Sequence, residues 1–382
     1  MKNSLFILAI AFLSIFIFGC KKDEPPKTPV TLIDGEENKE AYNEFLKTNL
    51  ATILNDETAL DNNFVYSPFS YRRALESLTL VTDDFNDSPY FGAKLLKDAN
   101  GNNFKSKTEV ILNKDMFNIK NKIDEFVLKD FPSGAENESK KIQNNVLGET
   151  ILKPSYESEN AMVVINATAF EGKWEEAFKK SRTYKDNFTT ISGDVVEKDF
   201  MQGNIDNVVL QNELVDIGRK SMETPGDYAY FVDVKNPTAE NILKVARELP
   251  GYIESMENLS TSFGVGERGT VFLAVPKCDI KTNVDILELE KKGVNKELFE
   301  KTIDTNENLE RLNDYPIFIS GIKQAASFKM DENKIVAKAA TEIKKDTAMA
   351  PVDEPFEIIL DSPHFIVTTT NGVITFVALV VK

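Results

Sequence analysis

The chain has 382 residues, of which 42% are hydrophobic, so it can form one large folded domain with a substantial core. Its 61 acidic and 45 basic residues give a formal net charge of -16, which repels the phosphates of nucleic acid. Nucleic acid is therefore excluded as an expected partner.

The first residues are typical of a bacterial export signal. Lys2 precedes an apolar run, residues 5–18, that is too short to span a bilayer comfortably. The run ends in Phe18-Gly19-Cys20, which resembles a lipobox whose cysteine receives a diacylglyceryl chain. We expect a lipoprotein signal at residues 1–19, then a flexible tether at residues 20–38 that a lipid on Cys20 anchors to the outer membrane or cell surface. An ordinary cleaved signal, or a membrane anchor with a chance cysteine, is the alternative.

Cysteine and histidine are scarce, which limits the chemistry that the chain can perform. With Cys20 lipidated, Cys278 has no partner for a disulfide, and its alternating surroundings favour a small buried side chain. His364 is the single histidine and stands in an apolar stretch, so a histidine-based metal cluster is excluded and a catalytic triad has little support. We expect no cofactor, no metal and no catalytic residue.

Helical and strand patterns alternate along the rest of the chain. Apolar spacing predicts helices at residues 40–54, 71–82 and 241–256, and strands at residues 63–66, 162–170, 228–232, 270–275, 365–369 and 373–381. Residues 264–269 match the dinucleotide-binding pattern G-x-G-x-x-G, but a helix precedes them and a strand follows, so they indicate a turn. The order of the elements predicts an α+β fold with large, mostly antiparallel sheets.

Motifs at separated places resemble the serpin family, in the family's order. Residues 64–70 resemble the strand that enters the family's second helix, and residues 331–382 resemble its bait loop and closing strands. All four fixed positions of the signature N-x-x-x-F-x-G-x-W are matched, by Asn166, Phe170, Gly172 and Trp174. The resemblance implies a monomeric serpin domain at residues 39–382, with an exposed reactive-centre loop at about residues 332–358.

The resemblance also implies a mechanism without catalysis. A protease cleaves the loop of a serpin, and the loop then inserts into the main sheet as a new strand before the acyl-enzyme hydrolyses. With Glu332 as the hinge glutamate, the family's register would bury one alternating set: Ile335, Ala337, Ala339, Thr341 and Ile343. Lys334, Lys338 and Lys344 then fall on the outward face, where they avoid the cost of burying an unpaired charge.

The family register selects Ala348-Met349 as the cleaved bond, which suits an elastase-like protease or one of broad specificity. Counting back from Pro363 moves the bond toward Val352, and Lys345 offers cleavage to a trypsin-like enzyme. The target is expected to be a serine protease or, as a second class, a cysteine protease.

Two departures from the family leave another interpretation open. Inhibitory serpins usually carry glycine where Lys334 stands and threonine where Ile335 stands, and slow insertion would let a protease escape. The alternative is a non-inhibitory serpin fold that serves as a surface binding or structural protein, with coincidental alternation in a solvated loop. The resemblance places the sheet-opening region at Ser67, Ser70, Asn166, Trp174 and Gln324, with Gln324 in the place of a usual histidine.

Overall fold

The structure is a computed structural model that describes residues 30–55, 60–86, 96–101, 103–153, 155–291, 296–319, 322–336 and 356–382. Its helices lie against large sheets in which nearly every strand pair is antiparallel. The expected α+β fold is therefore confirmed.

The helices form where sequence signals for a start and an apolar face coincide. The α-helices in these ranges are α1 Glu36–Leu54, α2 Pro68–Leu78, α3 Ser133–Leu147, α4 Ala239–Glu257, α5 Ile286–Glu290 and α6 Lys296–Glu300. At the start of α2 the Ser67 hydroxyl accepts a hydrogen bond from the Ser70 amide, and Pro68 takes the first helical position, where no amide donor is needed. This cap also fixes the chain where β1 ends.

The described strands, in chain order, are β1 Phe64–Tyr66, β2 Ala99–Asn100, β3 Phe104–Asn113, β4 Phe117–Ile119, β5 Phe126–Lys129, β6 Met162–Lys173, β7 Tyr184–Thr189, β8 Val195–Ile205, β9 Val208–Gln211, β10 Val215–Ser221, β11 Asp227–Val234, β12 Val265–Glu267, β13 Val271–Pro276, β14 Cys278–Asp285, β15 Thr302–Ile303, β16 Leu309–Arg311, β17 Ile317–Phe318, β18 Lys323–Met330, β19 Lys334–Val336, β20 Phe356–Ile359, β21 His364–Thr370 and β22 Val373–Val380.

Three sheets organise the molecule. Sheet A has the order β14-β18-β19-β6-β3-β2, with β5 parallel to β3. Sheet B has the order β1-β22-β21-β11-β10-β9-β12, and sheet C has the order β20-β13-β8-β7. The pair β13–β20 is parallel, and β15–β17 and β16–β4 form two small ribbons. Thus β20, the next strand that the structure describes after β19, belongs to a different sheet.

Two layers of apolar side chains hold the sheets in place. Every residue of β21 and β22 is buried, since both faces of these two interior strands of sheet B are covered, and their apolar side chains belong to the main core. A smaller cluster joins α3 to the outer face of sheet A through Ala135, Ile142, Ile165 and Ala167. Helix α3 therefore covers part of β6.

The folded region starts before the domain boundary expected at residue 39. Leu32 and Ile33 are buried in the main core, Ile33 bridges to Leu96, and residue 39 itself lies inside α1. The tether expected at residues 20–38 is thus too long at its C-terminal end. Among the described helices, none is both long and apolar enough to cross a membrane.

The glycine-rich stretch at residues 264–269 does not bind a dinucleotide in the manner of a strand-turn-helix unit, but it is not only a turn either: residues 265–267 form β12, which the sequence did not predict, and β13 follows at Val271–Pro276. Gly264 has a φ of 84°, and a Cβ atom there would lie 2.2 Å from the Gln211 carbonyl oxygen. Glycine is needed for this close backbone approach and not for a phosphate.

Candidate functional site

The chain reverses direction between β18 and β19, at the start of the expected loop. Residues 331–334 form this hinge turn, in which the Asp331 amide donates to the Lys334 carbonyl at 3.0 Å. The Asp331 carboxylate accepts hydrogen bonds from the amides of Asn333 at 2.8 Å and Lys334 at 3.3 Å. An aspartate that bonds the backbone of its own turn fixes the register with which the chain re-enters the sheet.

Strand β19 is paired on both sides. Ile335 lies opposite Met330 of β18 and opposite Gly172 of β6, and both pairings are antiparallel. The first residues beyond the hinge turn are therefore already a strand of sheet A, inserted between its central strands.

Two aromatic residues hold the hinge turn from the end of β6. The Trp174 indole N–H donates to the Asp331 carbonyl at 3.0 Å, and the Trp174 amide donates to the Asn333 carbonyl at 3.1 Å. The Phe178 amide donates to the Glu332 carbonyl at 2.9 Å, and the two rings pack edge to face with centroids 5.7 Å apart. Trp174 thus contacts the hinge directly.

The side chain of Glu332 is buried, with 4% of the residue exposed, and it is neutralised by a cation. Lys277, between β13 and β14, places its Nζ 2.6 Å from Glu332 Oε1, and the Thr183 hydroxyl donates to the same oxygen at 2.7 Å. Burial alone would raise the pKa of Glu332, but the hydrogen bonds from Lys277 and Thr183 outweigh burial and hold that pKa below its ordinary value. The carboxylate is therefore charged and joins sheet C to the hinge.

Alternate residues of β19 face opposite sides of sheet A. Ile335 is 0% exposed and belongs to the main core. Lys334 lies on the other face, yet only 5% of it is exposed, and its Nζ is 2.8 Å from Glu171 Oε1. The outward face of β19 is thus covered at Lys334, where Glu171 on β6 compensates the charge.

Past the end of β19, the described part of the chain places no further strand between β6 and β18. In their described residues, β6 pairs only with β3 and β19, and β18 pairs only with β14 and β19. The space between them, which we call the seam, is part of a cavity of about 1120 Å³ lined by residues 163–168 of β6 and 324–327 of β18. The edges of two central strands therefore face each other across a gap that β19 has begun to fill.

Four of the expected sheet-opening residues line this cavity, but they form two separate networks. Gln324 of β18 makes a paired contact with Ser67: its Oε1 accepts from the Ser67 amide at 2.8 Å, and its Nε2 donates to the Ser67 carbonyl at 2.9 Å. Asn166, across the seam, donates instead to Ser106 at 3.0 Å and Thr108 at 2.9 Å. Gln324 and Asn166 do not bridge the seam.

Lys220 of β10 lies beside the aromatic residues that hold the hinge. Its Nζ is 4.7 Å from the Phe178 ring centroid and 5.8 Å from that of Trp174, and it donates to the Asn204 carbonyl at 3.3 Å. Burial lowers the pKa of Lys220 to about 8, against its ordinary value of 10.5. Ring faces attract the cation but do not restore the hydration that it loses.

The remaining chemical candidates are buried structural groups. Burial lowers the pKa of His364 to about 3 and raises the pKa of the Cys278 thiol to about 12, so His364 is neutral and Cys278 is protonated at pH 7. No group of three metal-ligating side chains is found within the described ranges.

Several expected positions lie outside the described residues. They are Cys20, the inserting residues Ala337, Ala339, Thr341 and Ile343, the neighbours Lys338 and Lys344, and the bond candidates Lys345, Ala348, Met349 and Val352. Their roles stay predictions from the sequence.

Sequence reasoning did not identify four residues that contact the hinge: Glu171, Phe178, Thr183 and Lys277. Glu171 lies inside the signature that ends in Trp174 and Phe178 follows it by four residues, so the signature was the available signal. Lys277 and Thr183 come from distant parts of the chain, and their charge or hydroxyl alone gives no sign of this role.

Comparisons with known proteins agree with this architecture. A family model described as Serpin (serine protease inhibitor) matches residues 130–382. Serpin-Z2B of Triticum aestivum is 23% identical over 247 residues, which are 63% of this chain and 61% of that protein. Serpin-Z1A of the same plant is 24% identical over 237 residues, 61% of this chain and 59% of that protein. The match thus spans about three fifths of the length of these relatives.

Solved structures resemble the whole described fold. The thermophilic serpin Tengpin in its native state matches with a TM-score of 0.73 and 16% identity, covering 94% of this chain and 97% of that chain. AtSerpin1 of Arabidopsis in its native stressed conformation matches with a TM-score of 0.67 and 19% identity, covering 91% and 99%. At these identities the likeness establishes the fold.

The described residues of sheet A thus place β19, the start of the expected loop, between β18 and β6. The family model covers about two thirds of the chain, and the chain belongs to the serpin family. Members of this family are generally inhibitors of proteases and not enzymes.

Proposed function

We propose that this protein inhibits serine proteases, with cysteine proteases as a second target class, by cleavage of its loop, covalent trapping and loop insertion. The observation that carries the proposal is β19. Its pairing with both β6 and β18 sets the register in which the rest of the loop would enter the seam. No cofactor or metal is needed for this mechanism.

The alternation of the loop continues the register of β19. Ile335 faces the core, so Ala337, Ala339, Thr341 and Ile343 would follow it along the same inner face. Each inserted residue would pair backbone groups that the seam leaves without strand partners, and each such hydrogen bond contributes about 0.5–1.5 kcal/mol net. These hydrogen bonds and the burial of the inner-face side chains are the gains that would offset the entropy lost when the freed loop becomes ordered.

We propose that the bond Ala348-Met349 is the one attacked, by an elastase-like enzyme or one of broad specificity. The lipobox-like sequence at Cys20 supports display of the inhibitor as a lipoprotein on a bacterial outer membrane or cell surface. The protein would then protect that surface from extracellular proteases.

The direct test mixes the chain from Lys22 onward with elastase-like and trypsin-like serine proteases and with papain-like cysteine proteases. A complex that survives SDS and contains the loop fragment is expected with at least one active enzyme and not with an enzyme whose nucleophile is blocked. Cleavage without any stable complex across the panel would defeat the proposal. Mass spectrometry of the released peptide identifies the cleaved bond.

A matched pair of loop variants tests the register. Ala339→Arg would bury an unpaired charge on the inserting face and should convert the inhibitor into a substrate, whereas Ala340→Arg places the same charge on the opposite face. Equal inhibition by the two variants would contradict insertion in this register. A non-inhibitory serpin fold predicts that loop cleavage leaves the Tm unchanged, while insertion should raise it sharply.

A further inference from the structure

An ion pair joins β19, the start of the loop, to β6. The contact between these two strands must open if β19 is to leave sheet A. Lys334 Nζ of β19 lies 2.8 Å from Glu171 Oε1 of β6. On the other side β19 is joined to β18 through the hinge turn itself. The pair therefore connects β19 to the one neighbouring strand from which it can separate.

The register makes this pair more than a surface contact. Lys334 lies directly opposite Lys173 of β6, and like charges in opposed positions destabilise a strand pair. Glu171 stands opposite Val336, one diagonal step away, and supplies the negative charge on the same face. Without Glu171, two lysines would oppose each other in a position where Lys334 is almost fully covered.

The opposite face of β19 holds its second anchor. Ile335 is fully buried opposite Gly172, where a Cβ atom would lie 1.9 Å from Met222 Sδ. A residue larger than glycine would therefore disturb the inner face at this pairing. Ile335 and Lys334, the two departures from the usual family residues, thus hold the same short strand from opposite faces.

We propose that Lys334 and Glu171 form a latch that keeps the start of the loop inserted in sheet A before any protease acts. Lys334 is a positioning residue: it retains β19 as the first part of the strand that the rest of the loop would extend. The role of the latch in inhibition rests on the proposed function, because a seated hinge removes the slow first step of insertion. The seating of β19 itself does not depend on that function.

The latch is tested by hydrogen exchange on the full-length protein in mild detergent. We expect Lys334→Met and Glu171→Gln each to speed exchange in the peptide that covers residues 332–336 by about tenfold, which corresponds to about 1.4 kcal/mol. The double variant should not exceed the faster single variant, because both remove one interaction. The matched control is Lys235→Met, which removes the 2.9 Å ion pair of Lys235 with Asp216 in sheet B, away from the hinge turn, and should leave this peptide unchanged.

Trp174 provides a second readout, because it is the only tryptophan and its indole donates to the hinge turn. Its emission should shift in both latch variants and not in the control. Unchanged or slower exchange in either single variant, or additive effects in the double variant, overturns the latch.

The kinetic arm compares the moles of inhibitor consumed per mole of protease. Latch variants should need more inhibitor, because the unseated loop inserts later and more molecules are cleaved as substrate. If the latch variants exchange faster but neither they nor the wild type form a complex with any protease, the latch is retained and the proposed function is rejected. If the latch variants exchange faster but consume the same number of moles of inhibitor per mole of protease, the latch holds β19 in the sheet and its kinetic role is rejected.

Discussion

Replacing Glu332 with glutamine should loosen the hinge turn by a calculable amount. The carboxylate is 4% exposed and accepts hydrogen bonds from the Lys277 ammonium and the Thr183 hydroxyl. A hydrogen bond to a charged group contributes about 1.5–3 kcal/mol. Because the Lys277 side chain is 35% exposed, solvent screening puts this contact at the lower end, about 1.5 kcal/mol. Glutamine keeps an oxygen for Thr183 but loses the charge.

The assay is urea unfolding followed by Trp174 emission, at pH 7 and at pH 4, for Glu332→Gln, Lys277→Met and the double variant. Each single variant should lose about 1.5 kcal/mol at pH 7, and the double variant should lose no more than the larger single loss. The folded-state pKa of Glu332 is lowered from 4.5, so its contribution is complete above pH 4.5 and disappears as pH falls through the folded-state value. The coupling energy is the difference between the summed losses of the two single variants and the loss of the double variant. A coupling energy below about 0.3 kcal/mol at pH 7 would refute the ion pair between Glu332 and Lys277 as the source of this stability.

Three further predictions follow from buried groups. His364, with a folded-state pKa of about 3 against an ordinary 6.5, binds a proton between those values only when the chain unfolds, so stability should fall by about 1.4 kcal/mol for each unit by which the pH is lowered across that range. In His364→Phe the slope of the free energy of unfolding against pH should be smaller by that amount, and an unchanged slope would contradict burial of the neutral ring. Gln324→Ala removes both hydrogen bonds to the Ser67 backbone and should cost about 1–3 kcal/mol in urea unfolding, whereas a loss under 0.5 kcal/mol would mean that water replaces the amide. Lys220 has a folded-state pKa of about 8, against 10.5 in the unfolded chain. Between pH 8 and pH 10.5 the unfolded chain therefore holds more protons on this lysine than the folded protein does, and the free energy of unfolding should rise with pH across that range. Trp174 emission should titrate near pH 8 in the wild type and not in Lys220→Met; a titration that persists in the variant would assign it to another group.

The sequence was sufficient for the elements whose signals are local. The apolar run at residues 162–170 predicted a central strand, and β6 is central in sheet A. The helical spacing at residues 241–256, which lies within α4, likewise depends on neighbours in the chain. The signature through Trp174 led to the hinge, because its tryptophan binds the hinge turn.

The contacts that determine the state of the hinge could not be read in this way. Whether Lys334 is solvated or paired depends on which residue of β6 stands beside it, and the hinge turn sets that register through long-range pairing. Gln324 was expected near Ser67, Ser70 and Asn166, and all four line one cavity. The seam nevertheless separates Gln324 from Asn166, and the width of a gap between strands leaves no pattern in either strand's sequence.

The two ends of the expected loop are held by different sheets. Strand β19 belongs to sheet A, while β20 pairs with β13 in sheet C and leads into β21 and β22, which are buried throughout sheet B. A cut anywhere in residues 337–355 would therefore leave the C-terminal piece locked in place without a covalent link to the rest. The cut molecule should migrate as one species on a native gel and as two after denaturation. The two pieces would then be anchored independently, one through β19 in sheet A and the other through β20 in sheet C, so the cut need not release either of them.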